Sequence, residues 1–302
     1  MSIPPIYDLL RRDLSRHAAW LLMLASLLLP MLVQAGNRMA GNPSPYLAQH
    51  GKDPVHWREW RPEVIAEARR GNRLILVSLG YYACHWCHVM QRETWADREV
   101  GKFVNANFIA VKVDREVNAG LDAALQGFSE RTRGVAGWPL NVFLTPEGHP
   151  LLALTYVPRD DFLQVAKALA ERWRRESNSL SRLARQAARP AARRAITDLP
   201  RAFLTTAKAE ADMLRGGFGS TAKFPMTPQL LALLEMHARK PDPTLDEFLR
   251  LTLGQMVTAG LRDHVAGGFF RYTVDPDWSE PHFEKMLYDN ALAALLYLRA
   301  AE

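Results

Sequence analysis

Short apolar runs alternate with amphipathic segments over the first half of the chain. Four runs have the length and composition of buried strands: 74–80, 108–114, 140–144 and 151–157. Helical periods occupy the segments around them: 62–70, 85–105, 119–131 and a helix from about 161 that Asp160 is expected to cap. The order βαβαββα predicts parallel strand pairing through the crossovers and a hairpin at the end.

The apolar period changes to 3.6 residues beyond about residue 200. Two helical faces follow from it, one with Leu230, Leu233 and Leu234, the other with Leu245, Phe248, Leu249, Leu253, Met256 and Val257. Glycine-rich connections lie at 216–219 and 267–270, and no strict internal repeat is visible. The pattern predicts an array of helical hairpins. Because the apolar helix 291–301 stops at Glu302 without a cap, we expect this array to be truncated.

The first 35 residues have the composition of an export leader. Three arginines between positions 11 and 16 precede an uncharged stretch at 18–35. This stretch is long for the apolar core of a signal peptide and just long enough to span a bilayer. A cleaved signal peptide and a retained transmembrane anchor therefore both stay open. Either one predicts that the remaining chain is exported, to the periplasm or to the outer face of the membrane.

Composition places the chain among ordinary folded proteins. Of its 302 residues, 48% are hydrophobic and 23% are charged, which suits two domains with buried cores. The net charge is +6, and arginines concentrate at 172–201. Such a stretch can bind nucleic acid, but here it lacks the interleaved aromatic residues of nucleic-acid-binding surfaces. We therefore expect a solvated linker helix and no nucleic-acid partner.

The chain has two cysteines, Cys84 and Cys87, and they directly follow the predicted strand 74–80. A C-x-x-C pair after the first strand of a βαβαββα order is the thioredoxin arrangement. Cys84 lies nearer the start of the helix, where the partial positive charge favours a thiolate, so we expect it to attack. Cys87 is expected to resolve the mixed disulfide. A static disulfide remains the simpler alternative.

A proline also fits this arrangement. Pro139 follows Trp138 and precedes the strand 140–144, where it can hold a loop open beside the sulfurs. In thioredoxins the corresponding proline is cis. Thioredoxins also place a buried carboxylate six residues before the first cysteine, as a proton acceptor, but this chain has Ser78 there. We expect His85 or His88 to take the proton instead, because imidazole titrates near neutral pH.

Two other chemistries match the same string. Cys84 to His88 forms a C-x-x-C-H, which attaches haem in some exported proteins. A zinc site is the second alternative, and it would need additional ligands such as His50 or His56. The helix after Cys87 continues with polar residues rather than an apolar haem pocket. We therefore expect no cofactor and no metal.

Several motifs together resemble the spermatogenesis-associated protein 20 family. They are Ser44–His50 with Pro54 and Trp57, Cys84–Met90, Lys112–Glu116, Gly137–Pro146, Lys223–Pro225 and Pro281–Ala291. The resemblance implies a thioredoxin-like α/β domain followed by an all-α, (α/α) toroid-like segment similar to N-acylglucosamine 2-epimerases and six-hairpin glycosidases. The implied boundaries are a leader at 1–35, the thioredoxin-like domain at 42–175, an arginine- and alanine-rich linker helix at 176–201 and a partial toroid at 202–302.

The resemblance also suggests where substrates bind. His282, Glu284 and Asp289 are candidates for the wall of a sugar-binding cavity, although a Lys285–Asp289 surface pair, with His282 as a cap, is the plainer interpretation. Tyr46, Trp57, Trp86 and Trp138 are candidates for an aromatic rim around the thiols, although core packing is the expected role of at least two of them.

Three functions follow from these features. The first is a thiol–disulfide oxidoreductase that acts on protein thiol or disulfide clients through Cys84 and Cys87. The second is a carbohydrate-active or carbohydrate-binding toroid with a scaffold thioredoxin domain. The third is a non-enzymatic interaction module, which Ser78 favours.

Overall fold

A computed structural model describes residues 36–188 and 197–302 of the chain. The predicted leader at 1–35 lies outside these residues. Within the described ranges, no helix is long and apolar enough to cross a membrane. The transmembrane segment and the signal peptide that the sequence suggests therefore gain no support and are not carried further. The chain divides into two compact units, Met1–Arg189 and Pro190–Glu302.

The first unit is built on a four-stranded mixed sheet. Its elements are helices α1 (Pro45–Gln49), α2 (Pro62–Gly71), α3 (His85–Met90), α4 (Arg98–Asn107), α5 (Ala119–Arg133) and α6 (Arg159–Ala187), and strands β1 (Leu74–Gly80), β2 (Phe108–Asp114), β3 (Leu140–Leu144) and β4 (Pro150–Leu154). The strand order is β2-β1-β3-β4. Strands β1 and β2 are parallel, whereas β3 and β4 form an antiparallel hairpin beside β1. This is the topology of the thioredoxin fold.

The prediction of parallel pairing is right for the first crossover and wrong for the second. Helix α5 does not return the chain to the start of β1, because Leu140 pairs with Leu79 at the carboxyl end of that strand. Strand β3 therefore runs antiparallel to β1. Residues 155–157 are not part of β4, and Pro158 rather than Asp160 precedes the first turn of α6.

The helix predicted over 85–105 is also divided. A π-helical turn, Gln91–Trp95, follows α3, and α4 begins only after Asp97. Asp97 adopts an extended conformation and its carboxylate accepts a hydrogen bond from Val100 N–H. An acidic N-cap of this kind satisfies one of the free donors at a helix start, so it begins a new helix rather than continuing the previous one.

Alternate positions of the strands face two different layers. On one face, apolar residues such as Val77 and Val111 pack with Val64 of α2 and Phe128 of α5. On the other face, Phe108 and Phe143 are part of a chain of aromatic contacts that includes Trp57, Trp95 and Phe162. This second layer lies under α3, so the cysteine helix rests on aromatic residues.

The second unit is helical. Its helices are α7 (Leu199–Glu210), α8 (Thr227–Arg239), α9 (Pro243–Thr258) and α10 (Leu287–Ala301), and its two short strands are β5 (Tyr272–Thr273) and β6 (Pro281–His282). Leu230, Leu233, Phe248, Leu249 and Met256 form its core, as the helical period predicts. The all-α character predicted for this segment is confirmed, with the small β5–β6 pair as an addition.

Two turns with the same backbone hydrogen bonds lie in the connections between these helices. In one, Asp212 N–H donates to the carbonyl of Gly217 at 2.9 Å, and in the other Asp263 N–H donates to Gly268 at 2.9 Å. Each aspartate accepts two backbone N–H bonds through Oδ1 and one lysine through Oδ2. The sequence shows no strict repeat because little more than the aspartate, the glycine pair and the phenylalanine after it is shared. The local fold of the backbone is nevertheless duplicated.

Candidate functional site

The two cysteines lie at the start of α3, just beyond the carboxyl end of β1. Cys84 precedes the first helical residue, and Cys87 N–H donates to Cys84 Sγ at 3.1 Å. The two sulfurs form a disulfide, with the Cα atoms 5.3 Å apart. A backbone N–H directed at Cys84 Sγ favours a thiolate over a thiol, because a hydrogen bond to the charged form lowers its energy.

The two sulfurs face different surroundings. Cys84 is itself 3% exposed, but its neighbours Tyr82, His85 and Trp86 are exposed, so only side chains at the surface cover this end of the disulfide. Cys87 lies on the inner side of α3, against Gly80. A Cβ placed on Gly80 would be 2.7 Å from Cys87 Sγ and would also overlap the Tyr46 hydroxyl. The absence of a side chain at Gly80 therefore leaves room for the inner sulfur.

Pro139 lies at the carboxyl end of β1, because the next residue, Leu140, pairs with Leu79. The peptide bond between Trp138 and Pro139 is cis. The Trp138 indole N–H donates to Asp122 at 2.7 Å, and the Arg115 guanidinium lies 4.4 Å from the ring centroid. These contacts hold the Trp138 ring, so the loop before Pro139 is fixed beside the end of the strand.

The two histidines of the motif lie on different sides of α3. His85 is exposed and its ring contacts Trp86 at 5.4 Å. His88 is half-buried, and its Nε2 lies 2.7 Å from the Tyr82 carbonyl oxygen. A carbonyl oxygen only accepts, so Nε2 of His88 carries the proton and donates. This nitrogen is occupied by the loop before the cysteines rather than directed at a sulfur.

The predicted aromatic rim is formed in part. Trp86 is exposed and packs on Tyr156 at 4.8 Å, while Tyr156 donates to Glu93 at 2.6 Å. Trp138 is half-buried at the loop before Pro139. Tyr46 and Trp57, the other two predicted rim residues, are fully buried on the sheet face that α3 covers. They belong to the core, which is the more frequent role of such side chains.

A buried polar cluster beneath α3 was missed by the sequence analysis. Lys112 of β2 donates to Ser78 of β1 at 3.0 Å. His50 donates to Asp53 at 2.6 Å, and the Trp57 indole donates to the same carboxylate at 2.9 Å. All five side chains are buried. The position of Lys112 within an otherwise apolar strand was the signal that could have revealed the cluster, since an unpaired lysine is rarely buried.

Burial determines the charge of this cluster. Burial, together with the nearby Lys112, lowers the pKa of His50 to about 4, against the hydrogen bond and the attraction of Asp53. Burial also lowers the pKa of Lys112 to about 7, opposed by the attraction of Asp53. At neutral pH His50 is therefore neutral, while Lys112 has both protonation states within reach.

Two of the candidate sugar-binding residues, His282 and Glu284, contact other side chains of the second unit. His282 belongs to the short strand β6 and stacks on Tyr272 at 4.7 Å, and its Nδ1 lies 3.6 Å from Glu284. Glu284 is buried and accepts from Arg271 at 3.1 Å. Asp289 lies in the first turn of α10. The structure thus brings His282 and Glu284 together as part of the β5–β6 packing.

The helical spacing that suggested a Lys285–Asp289 pair does not apply. Residues 282–285 precede α10, Met286 rather than His282 occupies the position before its first turn, and Lys285 pairs with Asp263 and donates to the Gly267 carbonyl. Lys285 is therefore part of the second duplicated turn. A carbohydrate partner, and with it the glycosidase-like role, gains no support and is dropped.

The described residues do not have the arrangement that haem attachment or a zinc site at the cysteine motif would need. The two sulfurs are bonded to each other, and His50 is taken by Asp53. In the part of the chain that the structure describes, no group of three or more His, Cys, Asp or Glu side chains is arranged around a metal position. The arrangement is suited to disulfide exchange at Cys84 and Cys87.

Comparisons with known proteins show the family of the chain. Residues 36–191 match the family model Thioredox_DsbH, described as a protein of unknown function, DUF255. The chain is 36% identical to human spermatogenesis-associated protein 20 over 287 residues, which covers 87% of this chain and 36% of the relative. It is 34% identical to an uncharacterised protein of Caenorhabditis elegans over 278 residues, covering 86% of this chain and 38% of the relative. The resemblance to the spermatogenesis-associated protein 20 family is thereby confirmed.

Two solved structures are also similar. A DsbH oxidoreductase is 20% identical, with a TM-score of 0.32, and the match covers 39% of this chain and 85% of that chain. A thioredoxin from Thermus thermophilus is 24% identical, with a TM-score of 0.33, covering 39% of this chain and 89% of that one. The chain spans a little over a third of the length of the curated relatives it matches.

Proposed function

The chain belongs to the Thioredox_DsbH family, and on that premise we propose that it is a thiol–disulfide oxidoreductase in which Cys84 attacks and Cys87 resolves. The observation that supports this proposal most is the Cys84–Cys87 disulfide at the start of α3, at the carboxyl end of β1. Its clients are protein thiols or disulfides. Pro139 borders the same end of the strand, and we expect an extended client segment to bind beside it.

The first step is attack on a client disulfide. Cys84 lies at the start of α3 between exposed neighbours, whereas Cys87 lies against Gly80, and the Cys87 N–H favours the Cys84 thiolate. The Cys84 thiolate attacks one client sulfur, a mixed disulfide forms and the other client sulfur leaves as a thiolate. Cys87 then attacks Cys84 Sγ, which closes the internal disulfide and releases the second client thiol. Two electrons pass from the cysteine pair to the client.

The exposed side chains around Cys84 supply the binding surface. Trp86 presents an apolar ring to solvent while Tyr156 supports its inner edge. Trp138 is held by Asp122 and Arg115 on the Pro139 side. Aromatic surfaces at both sides of the disulfide suit an unfolded or extended apolar segment, because such rings bury a large area with little loss of side-chain freedom.

The test is disulfide exchange by the full chain. The reduced protein is mixed with oxidised glutathione and, separately, with insulin in the presence of dithiothreitol, and the thiol content and the insulin reduction rate are followed. We expect equilibrium with the glutathione pair and faster insulin reduction, both abolished in Cys84→Ser. Ala83→Ser, at the exposed position directly before Cys84, carries no predicted role, and it is the matched control that retains exchange. A wild-type chain that never exchanges, or a Cys84→Ser variant that exchanges normally, contradicts the proposal.

A further inference from the structure

A lysine lies buried beneath the disulfide, at the place where the exchange reaction needs a proton acceptor. Lys112 is 1% exposed, and its ammonium donates to the Ser78 hydroxyl at 3.0 Å. Ser78 is six residues before Cys84 and so occupies the place of the carboxylate that thioredoxins use. A buried amino group is costly when charged, and its presence there calls for a physical reason.

Three aromatic faces surround the amino group. Its Nζ lies 5.4 Å from the ring centroid of Tyr46, 5.0 Å from that of Trp57 and 5.4 Å from that of Trp95. Such faces attract an ammonium and partly offset its desolvation. They do not accept its protons as an oxygen does. The ammonium is therefore tolerated, but the neutral amine is close to it in free energy, in agreement with a pKa of Lys112 near 7 caused by burial.

The amino group and the inner sulfur lie on the same face of the sheet. Ser78 and Gly80 are two residues apart in β1, so both point to the side that α3 covers. Lys112 reaches the Ser78 hydroxyl, and Cys87 Sγ rests on Gly80. Same-face neighbours in a strand are about 7 Å apart, so the amino group and the sulfur lie at adjacent positions of this face.

Two hydroxyls lie between them. Ser78 Oγ bonds the amine directly. The Tyr46 hydroxyl packs on Gly80 together with Cys87 Sγ, within about 5 Å of the sulfur, and it is buried with no hydrogen-bond partner. Burial also holds the pKa of Tyr46 well above its usual value, so this hydroxyl keeps its proton and can pass protons without losing its own charge state. In the disulfide form this hydroxyl bonds neither Cys87 Sγ nor Ser78 Oγ, so we expect the polar path from Lys112 to the sulfur to be completed only when the disulfide opens and the free hydroxyl bonds the two.

We propose that Lys112 accepts the proton of the Cys87 thiol, by way of the Tyr46 and Ser78 hydroxyls, when Cys87 resolves a mixed disulfide. This assignment rests on the oxidoreductase function proposed above. The neutral amine becomes an ammonium as the thiol becomes a thiolate. The thiolate then attacks Cys84 Sγ, the bond from Cys84 to the client breaks, and the client sulfur leaves with the electron pair and takes a proton from solvent. The proton on Lys112 returns to Cys87 when the internal disulfide is next reduced.

Other charged and titratable groups face Lys112 from several elements. They are Tyr46 and His50 around α1, Asp53 after it, Asp114 two residues along β2, and His88 on α3. His50 is held neutral by a pKa of about 4, and Tyr46 stays protonated. His88 donates its Nε2 proton to the Tyr82 carbonyl. Asp53 attracts the ammonium while it accepts from His50 and Trp57. Between about pH 6 and 9, Lys112 is therefore the group expected to change charge nearest this path.

The first experiment titrates the Cys87 thiol in Cys84→Ser, where it is the single cysteine. Thiolate absorbance at 240 nm is recorded against pH in the full chain, with and without Lys112→Met. We expect Lys112→Met to raise the pKa of Cys87 by at least about one unit, because the nearby acceptor and its positive charge are lost. Lys102→Met, an exposed lysine of α4, leaves the titration unchanged. An unchanged Cys87 pKa in Lys112→Met overturns the proposal.

The second experiment measures resolution of a preformed mixed disulfide by stopped flow in the wild type and in Tyr46→Phe. This change removes the hydroxyl but keeps the ring, and since the hydroxyl has no partner it should fold normally even if Lys112→Met does not. We expect resolution to be slowed roughly tenfold or more at pH 7, with loss of the inflection near pH 7. A wild-type rate and pH profile in Tyr46→Phe overturns the path. The thiol titration needs no client, so it tests the Lys112–Cys87 coupling independently of the oxidoreductase function. If the oxidoreductase proposal alone is wrong, the chain shows no disulfide exchange, but Lys112→Met still changes the pKa of Cys87.

Discussion

Cys87 Sγ rests directly on the backbone of Gly80. The last residue of β1 has no side chain, and the sulfur and the Tyr46 hydroxyl fill the space that a Cβ would occupy. The strand end and the cysteine helix therefore approach each other more closely than any other residue at position 80 permits. The closeness matters for function, because it is what brings the inner sulfur to the polar path from Lys112.

Gly80→Ala is predicted to disturb both stability and the site. The added methyl group would lie 2.7 Å from Cys87 Sγ and would overlap the Tyr46 hydroxyl, so α3 or Tyr46 must shift. Overpacking of this kind costs about 1–3 kcal/mol. Urea unfolding of the oxidised protein measures the loss. Gly120→Ala is the matched control, since nothing lies within 4 Å of its added Cβ in α5, and it should be neutral or slightly stabilising. Equal stabilities of the two variants would contradict the close approach.

Much of the first unit can be predicted because its signals are local. Strands β1 and β2 each begin with four apolar residues, at 74–77 and 108–111, and the C-x-x-C string follows three residues after β1. The direction of β3 was not predictable from its own residues, since it depends on where α5 delivers the chain. The break between α3 and α4 was in principle readable, because Asp97 is a good N-cap before a new apolar period.

The cysteine motif of the site was predictable from the sequence, whereas the buried polar cluster around Lys112 was not. Cys84, Cys87 and Pro139 follow from spacing alone. In the sequence, Lys112 is one polar residue in a predicted strand, and nothing next to it indicates burial. It is buried by contacts with Trp57 and Trp95, which come from other parts of the chain. Tertiary packing of this kind leaves no periodic signal. The roles predicted for His85 and His88 as proton acceptors stay untested, although His88 already donates to the Tyr82 carbonyl.

The assignment of the two sulfurs predicts different trapping behaviour. Cys87→Ser leaves Cys84 able to form a mixed disulfide but removes the group that resolves it. Cys87→Ser should therefore accumulate mixed disulfides with a disulfide-containing client such as scrambled ribonuclease. Cys84→Ser should not, because Cys87 is held against Gly80. Non-reducing gels and mass spectrometry measure the adducts, and equal trapping by both variants would refute the assignment.

Buried His50 should make stability fall in acid. Burial and Lys112 lower its folded pKa to about 4, whereas an unfolded histidine titrates near about 6.5. Between these values the unfolded state binds more protons, so the free energy of unfolding decreases as the pH falls through this window. His50→Asn can still donate to Asp53 but does not titrate there, so this part of the decrease, about 3 kcal/mol, should be lost.

Urea unfolding at several pH values between about 4 and 7 tests this prediction. The control is His149→Asn, in the turn between β3 and β4, which should retain the acid dependence of the wild type. A His50→Asn variant whose stability falls with acid as steeply as that of the wild type would show that His50 does not remain neutral when folded.

The duplicated turns of the second unit predict unequal effects from equal substitutions. Asp212 bonds Lys223, whose side chain is fully buried, whereas Asp263 bonds Lys285, whose side chain is about a third exposed. Asp212→Asn keeps the backbone bonds through Oδ1 but leaves a buried ammonium without its carboxylate, which costs about 3–5 kcal/mol. Asp263→Asn leaves an ammonium that water can reach, which costs about 0–1 kcal/mol. Hydrogen exchange of the α8 and α9 amides measures both losses in the second unit itself. Because the two turns have the same backbone bonds, comparable losses from the two variants would mean that the shared turn, and not the burial of its lysine, determines the stability of this unit.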